Sequence, residues 1–223
     1  MDPEHIAIPI DQAEPVSGLW LASPQSRACL VLAHGAGAGM AHKSMTAIAE
    51  GLFERDIATL RYQFPYMERG GKRVDPPPVA HAAVRAAVRA AHRRAGALPM
   101  FAGGRSFGGR MTSQAQALKP LEGVRGLVFF AFPLHPAGKP STERATHLSA
   151  VKIPMLFLQG SRDELADLDL LNQTLATLAG RATLELFDEA DHSFHVPART
   201  GRKDAEVLAE TLAAVAAWVE RVG

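Results

Sequence analysis

Cys29 is the only cysteine among 223 residues, so no disulfide can close within the chain. It lies in the run Cys29-Leu30-Val31-Leu32, the setting of a buried strand thiol and not of a nucleophile. Charge of one sign is also missing: 24 Lys and Arg stand against 23 Asp and Glu, with no long block of either. That balance argues against a nucleic-acid footprint and against a polybasic membrane anchor, and leaves a small molecule as the expected partner. No apolar run approaches membrane-spanning length. The opening residues Asp2-Pro3-Glu4-His5 lack the basic start of a signal peptide, so a cytoplasmic location is expected. Internal repeats and low-complexity tracts are absent as well.

What is present is an alternation. Two short alternating stretches, His5 to Ile10 and Val16 to Leu21, predict an N-terminal pair of strands at a sheet edge. From Cys29 onward, apolar β-rich runs alternate with helix-like segments: strand to Ala33, helix Lys43 to Arg55, strand Ala58 to Tyr62, helix Pro78 to Ala95, strand to Ala102. A helix after Ser106 follows, with Met111, Ala115 and Leu118 at helical spacing. Then come strands Gly126 to Ala131 and Pro154 to Gln159, helix Ala166 to Ala179, strand Thr183 to Phe187 and helix Asp204 to Val222. Alternation of this kind predicts an α/β fold over residues 1–223: one domain with a mostly parallel sheet flanked by helices on both faces. The arginines at 85, 89 and 93 form a polar stripe on one helix, read as a solvated face with a phosphate-binding patch as its lesser alternative.

In a parallel sheet, ligands bind where the strands end, so the loops after the strands hold the candidate chemistry. Gly104-Arg105-Ser106-Phe107-Gly108 follows one strand and opens a helix. A serine on such a turn needs small neighbours two residues away on either side, and it has glycines there. Two later strand ends carry Gly160-Ser161-Arg162-Asp163-Glu164 and Glu189-Ala190-Asp191-His192-Ser193-Phe194. A serine hydroxyl needs a base to attack at neutral pH, which His192 could be; Asp163 could fix that imidazole's tautomer and stabilise its cation. Glu164, Asp167 and Asp191 compete for the acid, and His195 for the base.

The first strand ends in Ala33-His34-Gly35-Ala36-Gly37-Ala38-Gly39. Such a turn could offer backbone N–H groups to a developing oxyanion, with the N–H of Phe107 as the second donor. The rival is a dinucleotide turn, but Met40 stands where the fingerprint needs its third glycine, and the next strand ends Arg61-Tyr62-Gln63, without an acid for a ribose. No cofactor is therefore expected. No metal is expected either: His192 and His195 have no cysteine or H-E-x-x-H helix beside them.

Six blocks in order carry a resemblance: Leu32 to Gly37, Arg61 to Tyr66, Gly103 to Arg110, Phe132 to Pro136, Gln159 to Asp163 and Ala190 to Phe194. With them the chain resembles α/β-hydrolases of the compact, dienelactone-hydrolase-like group, and more closely the predicted hydrolases related to the testis-expressed 30 and nonspecific-lethal-complex subunit 3 proteins. The resemblance implies a Ser106, Asp163, His192 triad, an oxyanion hole at Ala36 and Phe107, and a serine hydrolase acting on carboxylic esters or related acyl compounds. Serine replaces the cysteine of dienelactone hydrolases proper, so their lactone substrate is not implied. A chromatin-complex subunit among the relatives keeps a catalytically silent scaffold open as the alternative. The stretch from 132 to 153 is too short for a helical cap domain, so an open site is expected. Gly35, Tyr62, Phe64, Phe132 and Leu134 fall at the catalytic end and are expected to contact substrate. Arg61, Arg105 and Arg162 fall there too, either to bind an anion or to pin loops.

Overall fold

The computed structural model describes residues 2–223. Apolar runs that must be covered on both faces have become the middle of one sheet: β3 (Ala28–Ala33), β4 (Ile57–Tyr62), β5 (Met100–Arg105), β6 (Val124–Phe130) and β7 (Met155–Gly160) are inaccessible along nearly their whole length. Two antiparallel strands, β1 (Glu4–Ile10) and β2 (Ala13–Leu21), extend it on one side, and β8 (Ala182–Phe187) closes the other. The strand order is β1-β2-β4-β3-β5-β6-β7-β8, and every pair from β4 to β8 is parallel. The half-exposed edge strand β8 leaves Leu186 at 49% exposure.

Helices cover both faces. On one, α1 (Lys43–Phe53) and α6 (Asp204–Val222) pack over Leu30, Leu32, Phe101 and Leu156, with Trp218 edge-on to Phe101 at 5.6 Å between ring centroids. On the other, α3 (Pro77–Ala95), α4 (Phe107–Leu118) and α5 (Leu168–Ala176) enclose a core in which Phe129 meets Phe157 at 4.8 Å. Such aromatic pairs add about 0.5–1.5 kcal/mol to what area burial alone supplies.

Differences from the expected elements have local causes. Helix α5 is shorter at both ends because the Asp167 carboxylate accepts from Leu170 N at 3.0 Å as an N-cap, while Ala179 and Gly180 both take positive φ. Leu118, expected on the buried side of α4, is 73% exposed: the helix ends there, and Leu121 turns back into the core instead. A short helix α2 (Pro65–Glu68) and 3-10 turns at Glu143–Ala150 and Ala198–Thr200 fill stretches expected to be loop. The stripe on α3 serves partly as fastening, since Arg85 donates to the carbonyls of Ala115 and Lys119 and Arg89 to Asp11; Arg94, beside it, donates to Glu4. Among the described residues there is no separate cap domain, and no helix is long and apolar enough to cross a membrane. In the parallel register Ala33 lies beside both Tyr62 and Gly104, so the loops after the central strands emerge together along one edge.

Candidate active site

Ser106 sits between the end of β5 and the start of α4 with φ 49° and ψ −115°, a conformation a residue with a Cβ occupies only under strain of about 1–3 kcal/mol. The surroundings hold it there: its N–H donates to Phe130 O at 3.0 Å and its carbonyl accepts from Arg110 N at 3.1 Å. Close approach to the end of β3 requires the flanking glycines. A Cβ at Gly104 would collide with the Ala33 carbonyl, and one at Gly108 would lie 2.5 Å from His34 O.

The loops after β7 and β8 bring the other two candidates to this serine. His192 Nε2 lies 2.8 Å from Ser106 Oγ, and His192 Nδ1 lies 2.7 Å from Asp163 Oδ2. The Asp163 side chain has no solvent exposure. A buried carboxylate requires hydrogen-bond donors, and Asp163 has them: Leu165 N reaches Oδ1 at 2.8 Å, and the Gln159 amide reaches Oδ2. Gln159 is itself oriented by accepting from Phe132 N at 3.0 Å. The acceptor-only carboxylate requires Nδ1 of His192 to carry the proton, which leaves Nε2 to accept from the serine hydroxyl.

Alternative acids and bases are occupied elsewhere. Asp167 caps α5, and Asp191 Oδ1 accepts from the amides of Ser193 and His195, shaping the loop that carries His192. Glu164 is exposed. His195 is exposed and paired with Asp204 at 2.9 Å, whose carboxylate raises its pKa.

The turn after β3 is braced by a residue to which the sequence reading gave no role. His34 is fully buried, and burial lowers its pKa, so its ring is neutral. Phe64 N donates to Nε2 at 3.1 Å, which leaves Nδ1–H to donate to the Gly35 carbonyl at 2.7 Å. The Tyr66 hydroxyl donates to Ala36 O at 2.7 Å. A histidine at the end of an otherwise apolar strand was the available signal, because a buried ring must find polar partners. Phe107 opens α4, which has no side-chain cap, so its N–H is among the groups a helix start leaves unpaired.

Above Ser106 lies a cleft of about 270 Å³. Gly35, Ala36, Gly37 and Ala38 form one wall; Ser44, Met45, Arg105 and His192 complete it. Gly35 thus lines the cleft. Tyr62, Phe64, Phe132 and Leu134, expected there too, do not: none is more than 1% exposed. They are core, with Phe64 edge-on to Tyr62 at 5.3 Å and to His34 at 4.9 Å, and Phe132 against Phe129 at 5.3 Å. Burial also pushes the Tyr62 phenol far up and the Tyr66 phenol up to about 12. Of the three arginines, Arg61 is buried against Met40 O and Thr46 Oγ1, and Arg162 pairs with Glu189, so both pin loops. Burial pushes the Cys29 thiol up to about 12, which keeps it protonated and unreactive. Among the described residues, no three His, Cys, Asp or Glu side chains converge as metal ligands would.

A parallel sheet of this order, with a serine turn after β5 and an acid and a histidine after β7 and β8, can be set beside known proteins. The sequence matches the family model of the alpha/beta hydrolase domain over residues 26–220. The chain belongs to the α/β-hydrolase family. Solved members share the fold at low identity. A dienelactone hydrolase from Anabaena variabilis is 19% identical, with a TM-score of 0.77 over 100% of this chain and 99% of that one. An α/β serine hydrolase homologue from Coxiella burnetii has the same identity and TM-score, over 96% of this chain and 98% of that one. A lid-less α/β serine hydrolase from Xanthomonas campestris is 23% identical, with a TM-score of 0.73 over 96% and 95%. Among the described residues of this α/β-hydrolase no separate cap covers the cleft above Ser106.

Proposed function

We propose that this α/β-hydrolase is a serine hydrolase of carboxylic esters or related acyl compounds, working through an acyl-enzyme. One observation carries the reading: the relay Asp163, His192, Ser106, with hydrogen bonds of 2.7 Å and 2.8 Å and a buried carboxylate at its far end. As Ser106 Oγ attacks the substrate carbonyl carbon, its proton passes to His192 Nε2, and Asp163 stabilises the imidazolium that forms. The carbonyl oxygen, now an anion, accepts from the N–H groups of Phe107 and Ala36; one such donor contributes about 10²–10³ in rate. Collapse of the adduct expels the leaving group, which takes the proton from Nε2 and leaves the acyl group on Oγ. Water then repeats the sequence, losing a proton to His192 and releasing the acid.

Supporting this reading, His34 and Tyr66 brace the turn that carries Ala36, and structurally similar proteins include an α/β serine hydrolase homologue and a lid-less α/β serine hydrolase. Small soluble acyl substrates in the cytoplasm are the proposed setting. Short-chain 4-nitrophenyl esters provide the test. Wild type should hydrolyse them with saturation kinetics, and Ser106→Ala should lose about 10⁴-fold or more in kcat. A wild type with no turnover on such esters or the matching thioesters would favour the catalytically silent scaffold.

A further inference from the structure

We infer that the acyl group this cleft accepts carries an anionic group of its own, and that Arg105 recognises it. The inference rests on the serine hydrolase reading and specifies its substrate class.

Arg105 stands beside Ser106 in the turn, and its guanidinium reaches across the cleft: Nη1 donates to Ser44 Oγ at 2.8 Å and Nη2 to Ser193 Oγ at 3.0 Å. One hydroxyl opens α1, beyond the glycine-rich turn; the other follows His192. The cation thereby closes one side of the cleft. Other arginines that fasten this chain do so on acids or carbonyls, as Arg69 with Asp75, Arg94 with Glu4 and Arg85 with the Ala115 and Lys119 carbonyls, although Arg61 adds the Thr46 hydroxyl to Met40 O. Arg105 instead donates to two neutral hydroxyls; the nearby Asp191 and Asp163 carboxylates favour its charge but form no salt bridge with it, so several of its N–H groups stay available. Among the described residues it is the only formally charged one lining the space above Ser106.

Two further observations give the charge a direction. The aromatic and aliphatic side chains that could have formed a fatty-acyl pocket, Tyr62, Phe64, Phe132 and Leu134, are sealed in the core. On the other side of His192 lies a second cleft of about 390 Å³ that carries Glu164, Glu189 and Asp191 against Arg162 and His195. A leaving group takes its proton from His192, so it departs on the His192 side, toward that acidic cleft. The acyl group stays with Ser106, Gly35 and Arg105. An acidic acyl group is therefore attracted where it must sit, and a long uncharged one finds only the small apolar surface of Ala36, Ala38 and Met45.

The test compares mono(4-nitrophenyl) adipate with 4-nitrophenyl heptanoate, which match in length and leaving group. Fluorophosphonate labelling of Ser106 is followed in parallel. Wild type should favour the acidic ester in kcat/KM by on the order of tenfold or more, as a charge-assisted contact supplies. Raising the ionic strength should erode that preference. Arg105→Gln should bring the ratio close to one, whereas Arg105→Lys, which keeps the charge and loses the two-armed latch, should retain part of it. A residue that merely fastened loops would slow both esters alike and leave the ratio untouched. A wild-type ratio at or below one, or a ratio unchanged in Arg105→Gln, overturns the inference while labelled Ser106 leaves the hydrolase reading standing. Failure of labelling together with no turnover of either ester overturns both.

Discussion

His34 Nδ1 lies 2.7 Å from the carbonyl oxygen of Gly35, and that hydrogen bond fixes the peptide whose N–H belongs to Ala36. In a trans peptide the two groups point in opposite directions, so a carbonyl held against the buried ring turns the Ala36 N–H away from it, and Ala36 lines the cleft above Ser106. The ring itself is held by Phe64 N at 3.1 Å. Replacing His34 with Ala should therefore act on catalysis through position. We expect kcat on short esters to fall by about 10–10³-fold, bounded by the value of one oxyanion donor, with KM changed much less. The orphaned Phe64 N–H should cost about 1–3 kcal/mol in urea unfolding. An unaltered kcat in a folded variant would exclude the bracing role.

Strain at Ser106 makes a second prediction. With φ at 49°, the serine occupies backbone space that glycine enters freely. Ser106→Gly should be inactive yet more stable than Ser106→Ala by about 1 kcal/mol or more, read from urea midpoints. Equal stability of the two variants would mean the turn is relaxed.

Asp163→Asn keeps the shape of the side chain but lets it present an amide donor to Nδ1, favouring the wrong tautomer of His192. Hydrolysis at neutral pH should drop by up to about 10⁴-fold while the fold persists, as circular dichroism would check. A loss under about tenfold would place the working acid elsewhere.

Acid should loosen the fold through histidines kept neutral inside it. Burial, with Arg110 and His81 nearby, pushes His147 down to about 4, and burial lowers His34 as well. In the unfolded chain both protonate near about pH 6.5, so below that value the unfolded state binds more protons. Their contribution is thus whole above about pH 6.5 and is lost as the pH falls toward about 4. His195, whose pKa Asp204 raises, acts in the opposite sense, but that pair is solvent-exposed and screened. The melting temperature should decline between about pH 7 and pH 5, and less steeply in His147→Gln. Parallel slopes for variant and wild type would show that His147 does not contribute.

Much of the arrangement could be read from the chain because its signals were local. The runs that became β3 and β6 are continuously apolar, and a strand with that pattern has to be buried on both faces. Gly104, Ser106 and Gly108 announce a turn by their spacing between an apolar run and a helix-like stretch. What eluded the sequence reading depends on which way a side chain points after folding. Tyr62 and Phe64 do lie at the strand-end loops where substrate contacts were sought, yet the sheet's pleat and the packing of Phe107 turn them inward. The role of His34 depends on Phe64, thirty positions away, supplying an amide to its ring. Leu118 repeats the period of Met111 and Ala115, but the helix stops at that residue and the period loses its meaning.

The relay from Asp163 through His192 to Ser106 is the central claim, and reaction with a fluorophosphonate followed by peptide mass spectrometry tests it most directly. Covalent addition should map to Ser106 alone, be absent from Ser106→Ala, and slow by orders of magnitude in His192→Ala. Modification of a different residue, or undiminished labelling without the Ser106 hydroxyl or the His192 imidazole, would contradict it.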